Sequence, residues 1–271
     1  MAIFIGQQVV ADWNGDNTSG NDTIIGTAGN DYFDAGLGVD YVNAGAGNDT
    51  MVDAGGMDGD VYDGGTGTDT LFYTGGGTFN FLNNPSADII SNIEWLIFDN
   101  AAGNNVTLAN GNQNASGGAG LDIIRGGDGT NWLLGGAGDD QLFGGAGGDR
   151  LEGGTGRDFL AGGTGTDILT GGADADAFVF DFFESLTGND SVTDFNPVDD
   201  YCFLTNYGPS GAFFNVGDDT SGSGASAFLL YDTGSGQLFW DANGNTAGGL
   251  QTVALFSNTP TLTAADFIFA V

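Results

Sequence analysis

The chain has 271 residues, 36 of them acidic and 3 basic, for a formal net charge of −33, and it contains 52 glycines and no histidine. All acids but Glu94, Glu152 and Glu184 are aspartates, and the three basic residues are Arg125, Arg150 and Arg157. These counts exclude a lysine-bearing phosphate loop, a serine–histidine triad, a histidine-held catalytic zinc and a Schiff-base lysine, and they set the chain against nucleic-acid backbones and anionic membranes.

Such a charge usually keeps a chain unfolded, yet 40% of the residues are hydrophobic and 12% aromatic. Core material is present; something to neutralise the aspartates is missing, which points to a cation. Cys202, the single cysteine, reads as a small buried hydrophobe. No run of 18 apolar residues predicts a transmembrane segment. The opening Met1-Ala2-Ile3-Phe4-Ile5-Gly6 lacks a basic stretch, so no cleaved N-terminal signal peptide is expected.

In chain order, residues 1–16 are expected to form an N-terminal cap. From residue 17 a nine-residue period sets in. Frames start at 17, 26, 35, 44, 55 and 64 (NTSGNDTII, GTAGNDYFD, AGLGVDYVN, AGAGNDTMV, GGMDGDVYD, GGTGTDTLF), with Asp53-Ala54 inserted before the fifth. Residues 73–116 lose the period but keep short strand-like runs at Ile89-Ile90, Ile93–Phe98 and Val106–Leu108; they predict a β-helical spacer continuing the stack without calcium. Residues 117–179 hold seven unbroken frames, GGAGLDIIR, GGDGTNWLL, GGAGDDQLF, GGAGGDRLE, GGTGRDFLA, GGTGTDILT and GGADADAFV. Residues 180–271 have fewer glycine pairs and more aromatics, and predict a β-rich C-terminal cap.

Position six of the frames is Asp22, Asp31, Asp40, Asp49, Asp60, Asp69, Asp122, Asn131, Asp140, Asp149, Asp158, Asp167 and Asp176. Position eight is always large and apolar, from Ile24 and Phe33 through Leu133, Leu142, Leu151, Leu160 and Leu169 to Phe178. Glycines allow a tight turn, and the last three residues alternate outward, inward, outward, as in a minimal strand. One frame is then a turn plus a strand, and two frames make a coil of 18 residues. Stacked coils give two parallel sheets with position eight between them. The position-six carboxylates fall in columns about 4.8 Å apart. Such columns repel unless a hard cation lies between them, and carboxylate and carbonyl oxygens suit Ca2+ better than Mg2+.

The GGxGxDxUx frames, with U a large apolar residue, resemble the calcium-binding β-rolls of the repeats-in-toxin (RTX) family. The resemblance implies an all-β fold, with two parallel β-rolls (17–72 and 117–179) joined by the spacer and closed by the cap. With the register it implies facing ligand pairs: Asp122/Asp140, Asp140/Asp158, Asp158/Asp176, Asn131/Asp149, Asp149/Asp167, Asp22/Asp40, Asp31/Asp49, Asp40/Asp60 and Asp49/Asp69, about nine Ca2+ sites or more. The segments Asn189–Phe195, Asp200–Leu204, Phe228–Asp232, Leu238–Gly244 and Leu262–Ile268 resemble the C-terminal domain of serralysin-type secreted proteins. That implies an uncleaved type I secretion signal ending in Asp266–Val271, export through type I machinery, and a last site completed by Asp190 and Asp194. Tyr201 and Phe203 depart from that family, which has polar residues there. The family's zinc protease signature needs histidines that this sequence does not have.

Asp232-Thr233-Gly234-Ser235 matches one half of an aspartic-protease pair, but the second Asp-Thr-Gly is missing, so a hairpin turn is expected. Asp241–Asn245 faintly resembles the start of an EF-hand and reads as a turn, without the glycine and glutamate such a loop needs. No catalytic residue or organic cofactor is expected, so the chain reads as no enzyme. Outward positions seven and nine carry Ile123, Trp132, Leu134, Phe143, Phe159 and Ile168, an apolar face covered either by the cap or by another copy of the chain. The expected function is a secreted, calcium-folded structural protein, self-associating into a layer, matrix or filament. The alternatives are a calcium-dependent adhesin binding a cell-surface glycan, and a secreted enzyme or its remnant.

Overall fold

The computed structural model describes residues 3–5, 20–54, 59–75, 77–81, 89–99, 102–181, 189–205, 213–216, 228–241 and 250–270. Most of the expected N-terminal cap, the Ala242–Asn245 part of the EF-hand-like stretch and the terminal Val271 lie outside the described residues. The chain divides into two compact units, Met1–Gly127 and Asp128–Val271.

In the first unit the frame ends become short parallel strands. Thr23–Ile25, Tyr41–Asn43, Val61–Asp63 and Ile89–Ser91 form one ladder, with Ile3–Ile5 on its edge. Tyr32–Gly36, Thr50–Asp53, Thr70–Tyr73, Trp95–Phe98 and Asn114–Ala119 form a second. Thr78–Asn80, Asn105–Thr107 and Ile123–Asp128 form a third. Each position-eight residue faces the position-eight residue one coil on: Phe33, Met51, Leu71 and Leu96 are in register and buried. The spacer therefore does continue the stack, and it brings its own aromatic core. Tyr73, Phe79 and Phe98 meet with ring centres 4.8 to 5.3 Å apart, the pair Tyr73–Phe98 stacked face to face. The strand Tyr32–Gly36 carries an irregularity at Ala35, opposite Val52 and Asp53, and the Asp53-Ala54 insertion lengthens the spacing to the next strand from 18 to 20 residues, Thr50 pairing Thr70, with Asp53 buried.

The second unit repeats the scheme. Trp132–Ala137, Arg150–Thr155, Ile168–Ala173 and Asp190–Val192 make one parallel ladder. Gln141–Gly147, Phe159–Gly165, Ala177–Asp181, Tyr201–Thr205 and Phe267–Ala270 make the other. Leu133, Leu142, Leu151, Leu160, Leu169 and Phe178 are fully buried. The repeat strands run longer than the sequence predicts: they include the following glycine pair, so that Gly136 pairs Gly154 and Gly145 pairs Gly163. Without side chains, those backbones approach closely enough to keep the ladder going into the turn.

Beyond the repeats, Leu250–Phe256 adds in parallel to Asp190–Val192 and continues antiparallel through Gln237–Asp241 to Phe228–Asp232, with Phe213–Val216 at the edge. Phe178, Phe195, Phe256 and Tyr231 form a chain of ring contacts that closes the core, and the Tyr231 hydroxyl donates to the Pro260 carbonyl at 2.9 Å. The described C-terminal strands thus lengthen both sheets at their edges. Cys202 is buried in the core, which pushes its thiol well above the usual range, as expected of a structural hydrophobe. Among the described residues no helix is long and apolar enough to cross a membrane.

Candidate metal centre

The aspartate columns form by one repeated hydrogen bond. In eight places the amide of a position-six residue donates to Oδ1 of the position-six carboxylate one coil further on. In the first unit these bonds are Asp22 to Asp40 (2.7 Å), Asp40 to Asp60 (2.6 Å), Asp31 to Asp49 (2.8 Å) and Asp49 to Asp69 (2.7 Å). In the second they are Asn131 to Asp149, Asp149 to Asp167 and Asp140 to Asp158, each 2.8 Å, and Asp158 to Asp176 at 3.0 Å. Asp122 falls in the first unit and Asp140 in the second. Every one of these side chains is buried, Asp22 being the least so at 8% exposure.

Oδ1 is satisfied in this way, and Oδ2 in several of these side chains is not. Oδ2 of Asp49, Asp69, Asp149, Asp158 and Asp176 is buried and accepts no hydrogen bond. A buried ionised oxygen without a partner is costly. Burial accordingly pushes the carboxyls up: Asp149 and Asp158 to about 6, Asp176 to about 7 and Asp190 to about 8.

The glycine at position one explains where Oδ2 goes. A side-chain carbon at Gly153 would overlap both Asp158 Oδ2 and the Gly171 carbonyl; one at Gly135 would overlap Asp140 Oδ2 and the Gly153 carbonyl. At these two positions glycine leaves room for the two oxygens that converge there, whereas Ala35 and Ala44 hold position one in the first unit. Positions two and four serve the turn itself, with φ between 98° and 139° in Gly136, Gly138, Gly145, Gly147, Gly163 and Gly165. Asp174 holds the same left-handed conformation at position four (φ 78°), which an aspartate tolerates.

Two members of the first unit differ. Asp31 Oδ2 accepts from the Thr27 amide at 2.6 Å and from its hydroxyl at 2.8 Å, and Asp60 Oδ2 accepts from the Tyr62 hydroxyl at 3.0 Å. Asp190 does extend its column, accepting from the Asp167 amide at 3.1 Å. Asp194 lies elsewhere: its two oxygens accept the amides of Gly171 (3.0 Å) and Gly172 (2.8 Å), capping the last turn.

Sequence reasoning missed three column members. Glu94 accepts from the Asp69 amide (2.8 Å), Asp200 from the Asp176 amide (2.9 Å), and the Asn104 amide donates to Asp122 (2.6 Å). None follows a glycine-rich turn. All three keep the tail of the nonad, a polar acceptor two residues before a buried apolar one: Glu94/Leu96, Asn104/Val106 and Asp200/Cys202.

The donor set is wholly oxygen: carboxylates, one amide carbonyl and backbone carbonyls. Among the described residues no three acidic or thiol side chains converge into a cluster, so a cation here would rest on carboxylates together with main-chain oxygens, as hard cations accept. Asp232 sits at the expected hairpin turn. It accepts from the Ser235 hydroxyl (2.5 Å) and the Gly234 amide (2.9 Å), which holds its carboxyl below the usual range.

No curated protein matches the chain. The family model of the RTX calcium-binding nonapeptide repeat (four copies) matches residues 16–51, 109–142 and 143–178. It leaves out the frames at 55 and 64, most of the spacer and everything after the last frame. Repeats of this kind bind Ca2+, and the matched segments contain most of the columns just described.

Proposed function

We propose that this chain is a secreted protein that folds when Ca2+ neutralises its aspartate columns, and that it serves outside the cell as a structural subunit. The observation carrying this reading is the row of buried carboxylate oxygens, Asp49, Asp69, Asp149, Asp158 and Asp176 Oδ2, that accept no hydrogen bond. The ligands in this reading are the position-six residues from Asp22 to Asp69 and from Asp122 to Asp176, with Asp190 ending one column. About nine divalent ions between successive coils would offset about 18 of the 33 net negative charges. Calcium is scarce in cytosol and plentiful outside cells, so the chain would cross the export machinery unfolded and fold on arrival. Residues 180–271, similar to the serralysin C-terminal domain, take the role of cap and type I export signal; fusing them to a passenger protein tests that role.

The structural role rests on the second unit's outer faces. Trp132 (38%) and Ile168 (40%) are exposed, and Phe143 and Phe159 are half-buried. Metal-stripped protein should give a disordered far-UV circular dichroism spectrum and become β-rich as Ca2+ is added, binding to the folded state supplying the stabilisation. An unchanged β-rich spectrum after removal of the metal would overturn the reading.

A further inference from the structure

The spacer meets the second ladder of the first unit at Asp69. There Glu94 stands where the next frame's aspartate would stand, its Oε2 accepting from the Asp69 amide at 2.8 Å. The amides of Glu94 and Trp95 both reach the Asp69 carbonyl, at 3.2 and 3.1 Å, and hold the spacer coil in register. Asp69 is fully buried. Its Oδ1 accepts from the Asp49 amide at 2.7 Å, and its Oδ2 accepts nothing.

That Oδ2 lies over Gly64. A side-chain carbon at Gly64 would overlap Asp69 Oδ2 and the carbonyl of Asn92. This is the arrangement over Gly135 and Gly153, with Asn92 replacing the glycine of the following coil. The Gly64 amide donates to the Ser91 carbonyl at 3.0 Å, as the Ala44 amide does to Asp63 at 2.8 Å, so Asn92 occupies position one of a shortened turn. Asn92 sits at φ 53°, a left-handed conformation that asparagine tolerates, and its side-chain amide is tied to Asp63 Oδ1 at 2.8 Å. Three residues, Asn92-Ile93-Glu94, thus do what six do in a nonad. They bring a carbonyl to the space over Gly64 that Asp69 Oδ2 also faces, an oxygen that accepts no hydrogen bond, and a carboxylate to the amide of the same aspartate.

We infer that Asp69 Oδ2, the Asn92 carbonyl and the Glu94 carboxylate bound a further divalent-cation site, closed by the spacer and not by a nonapeptide. The donors are all oxygen, which suits Ca2+. The inference rests on the reading of the columns as calcium ligands. It makes the spacer a calcium-dependent part of the fold, where the sequence predicts a calcium-free one.

Trp95 adjoins Glu94 and gives the test, with Tb3+ replacing Ca2+ in the full-length chain and tryptophan as the antenna. Trp95→Phe should remove a distinct share of the sensitised Tb3+ emission. Glu94→Gln keeps an acceptor for the Asp69 amide and should remove that same share. By equilibrium dialysis it should also bind one Ca2+ fewer per chain, with an unchanged circular dichroism spectrum in excess Ca2+. Trp132→Phe reports independently on the Asn131/Asp149 column. Emission lost in Trp132→Phe but not in Trp95→Phe, or an unchanged ion count in Glu94→Gln, overturns this site and leaves the columns standing. Emission insensitive to both tryptophans, with no Ca2+ bound, overturns the column reading and this site with it.

Discussion

The amide of Asp158 donates to Oδ1 of Asp176 at 3.0 Å, one coil on, while Asp176 Oδ2 stays buried without a hydrogen bond. One carboxylate is thereby divided between two tasks. Half of it holds the coils in register and half is left for a partner the polypeptide does not supply. In the proposed reading fold and metal site are the same object, so that removing Ca2+ should loosen the stack.

The first prediction concerns protons, which compete for the same oxygens. Burial pushes Asp176 up to about 7, with Asp200, Asp158 and Asp194 adding to the effect, and pushes Asp149 and Asp158 to about 6 and Asp190 to about 8, from an ordinary 3.8. Between those values and 3.8 the folded, metal-free chain binds more protons than the unfolded one. Its stability is therefore greatest below the ordinary carboxylate range and is lost as pH rises through about 6 to 8. Metal-stripped protein should show more β-structure at pH 5.5 than at pH 8. The calcium midpoint should move with pH across the same window. Equal disorder of the metal-free chain at both pH values would show that these carboxyls do not govern folding.

A second prediction isolates the bare position one. Gly153 does not need a left-handed backbone, so Gly153→Ala should act only by pushing a methyl group into Asp158 Oδ2 and the Gly171 carbonyl. Overpacking of this kind costs about 1–3 kcal/mol. The variant should need more Ca2+ to fold and lose cooperativity. Ala146→Thr is the control, since position three already carries Thr155 and Thr164 in sister frames. Matching calcium titrations for the two variants would remove the steric argument.

The third compares the two units. Asp60 Oδ2 is engaged by Tyr62, whereas Asp158 Oδ2 accepts no hydrogen bond. Asp158→Ala should raise the calcium midpoint more than Asp60→Ala does. Both substitutions remove the acceptor of a buried amide, that of Asp140 or that of Asp40, at about 1–3 kcal/mol each, so the difference between them reports on Oδ2. Isothermal titration of both variants against the parent protein would reveal the order, and an equal shift would refute it.

Much of this was legible in the sequence because the nonad repeats its chemistry at fixed spacing. The in-register burial of Leu133, Leu151 and Leu169 follows from the period alone. What the period could not reveal is where the column continues without it. Glu94 and Asp200 follow no glycine-rich turn, and their place is set by backbone pairing of Trp95 with Thr70 and of Tyr201 with Ala177. Asp194 was legible as an acid near the last coil, but its bonds to the Gly171 and Gly172 amides depend on how the chain turns after Val192. Strand length was underestimated for a related reason: glycine counts as a turn former in sequence, yet facing glycines in stacked coils pair well.

The last prediction concerns the outer face, where sequence alone treats Trp132 and Phe159 alike. Their surroundings differ. Trp132 donates from Nε1 to Glu152 at 2.9 Å, and the Arg150 guanidinium lies 5.0 Å from its ring centre, so it belongs to a polar network. Phe159 lies between Phe143 (5.7 Å) and Phe203 (6.5 Å), and the small outward residues Ala177 and Val179 in the same sheet are buried. Arg157 and Asp139 border the hollow beside Phe159, and the apolar row itself is what a second copy of the chain would meet. Phe159→Ser should therefore leave the calcium-induced β-spectrum intact and abolish association in light scattering, while Trp132→Ser changes association little. Leu160→Ala, one residue inward and fully buried, should instead cost about 2–5 kcal/mol of stability through the cavity left behind. If Phe159→Ser unfolds the protein as Leu160→Ala does, Phe159 belongs to the core. If the parent protein stays monomeric with saturating Ca2+, the face has no second copy to meet, and the structural-subunit reading gives way to that of a monomeric binding protein.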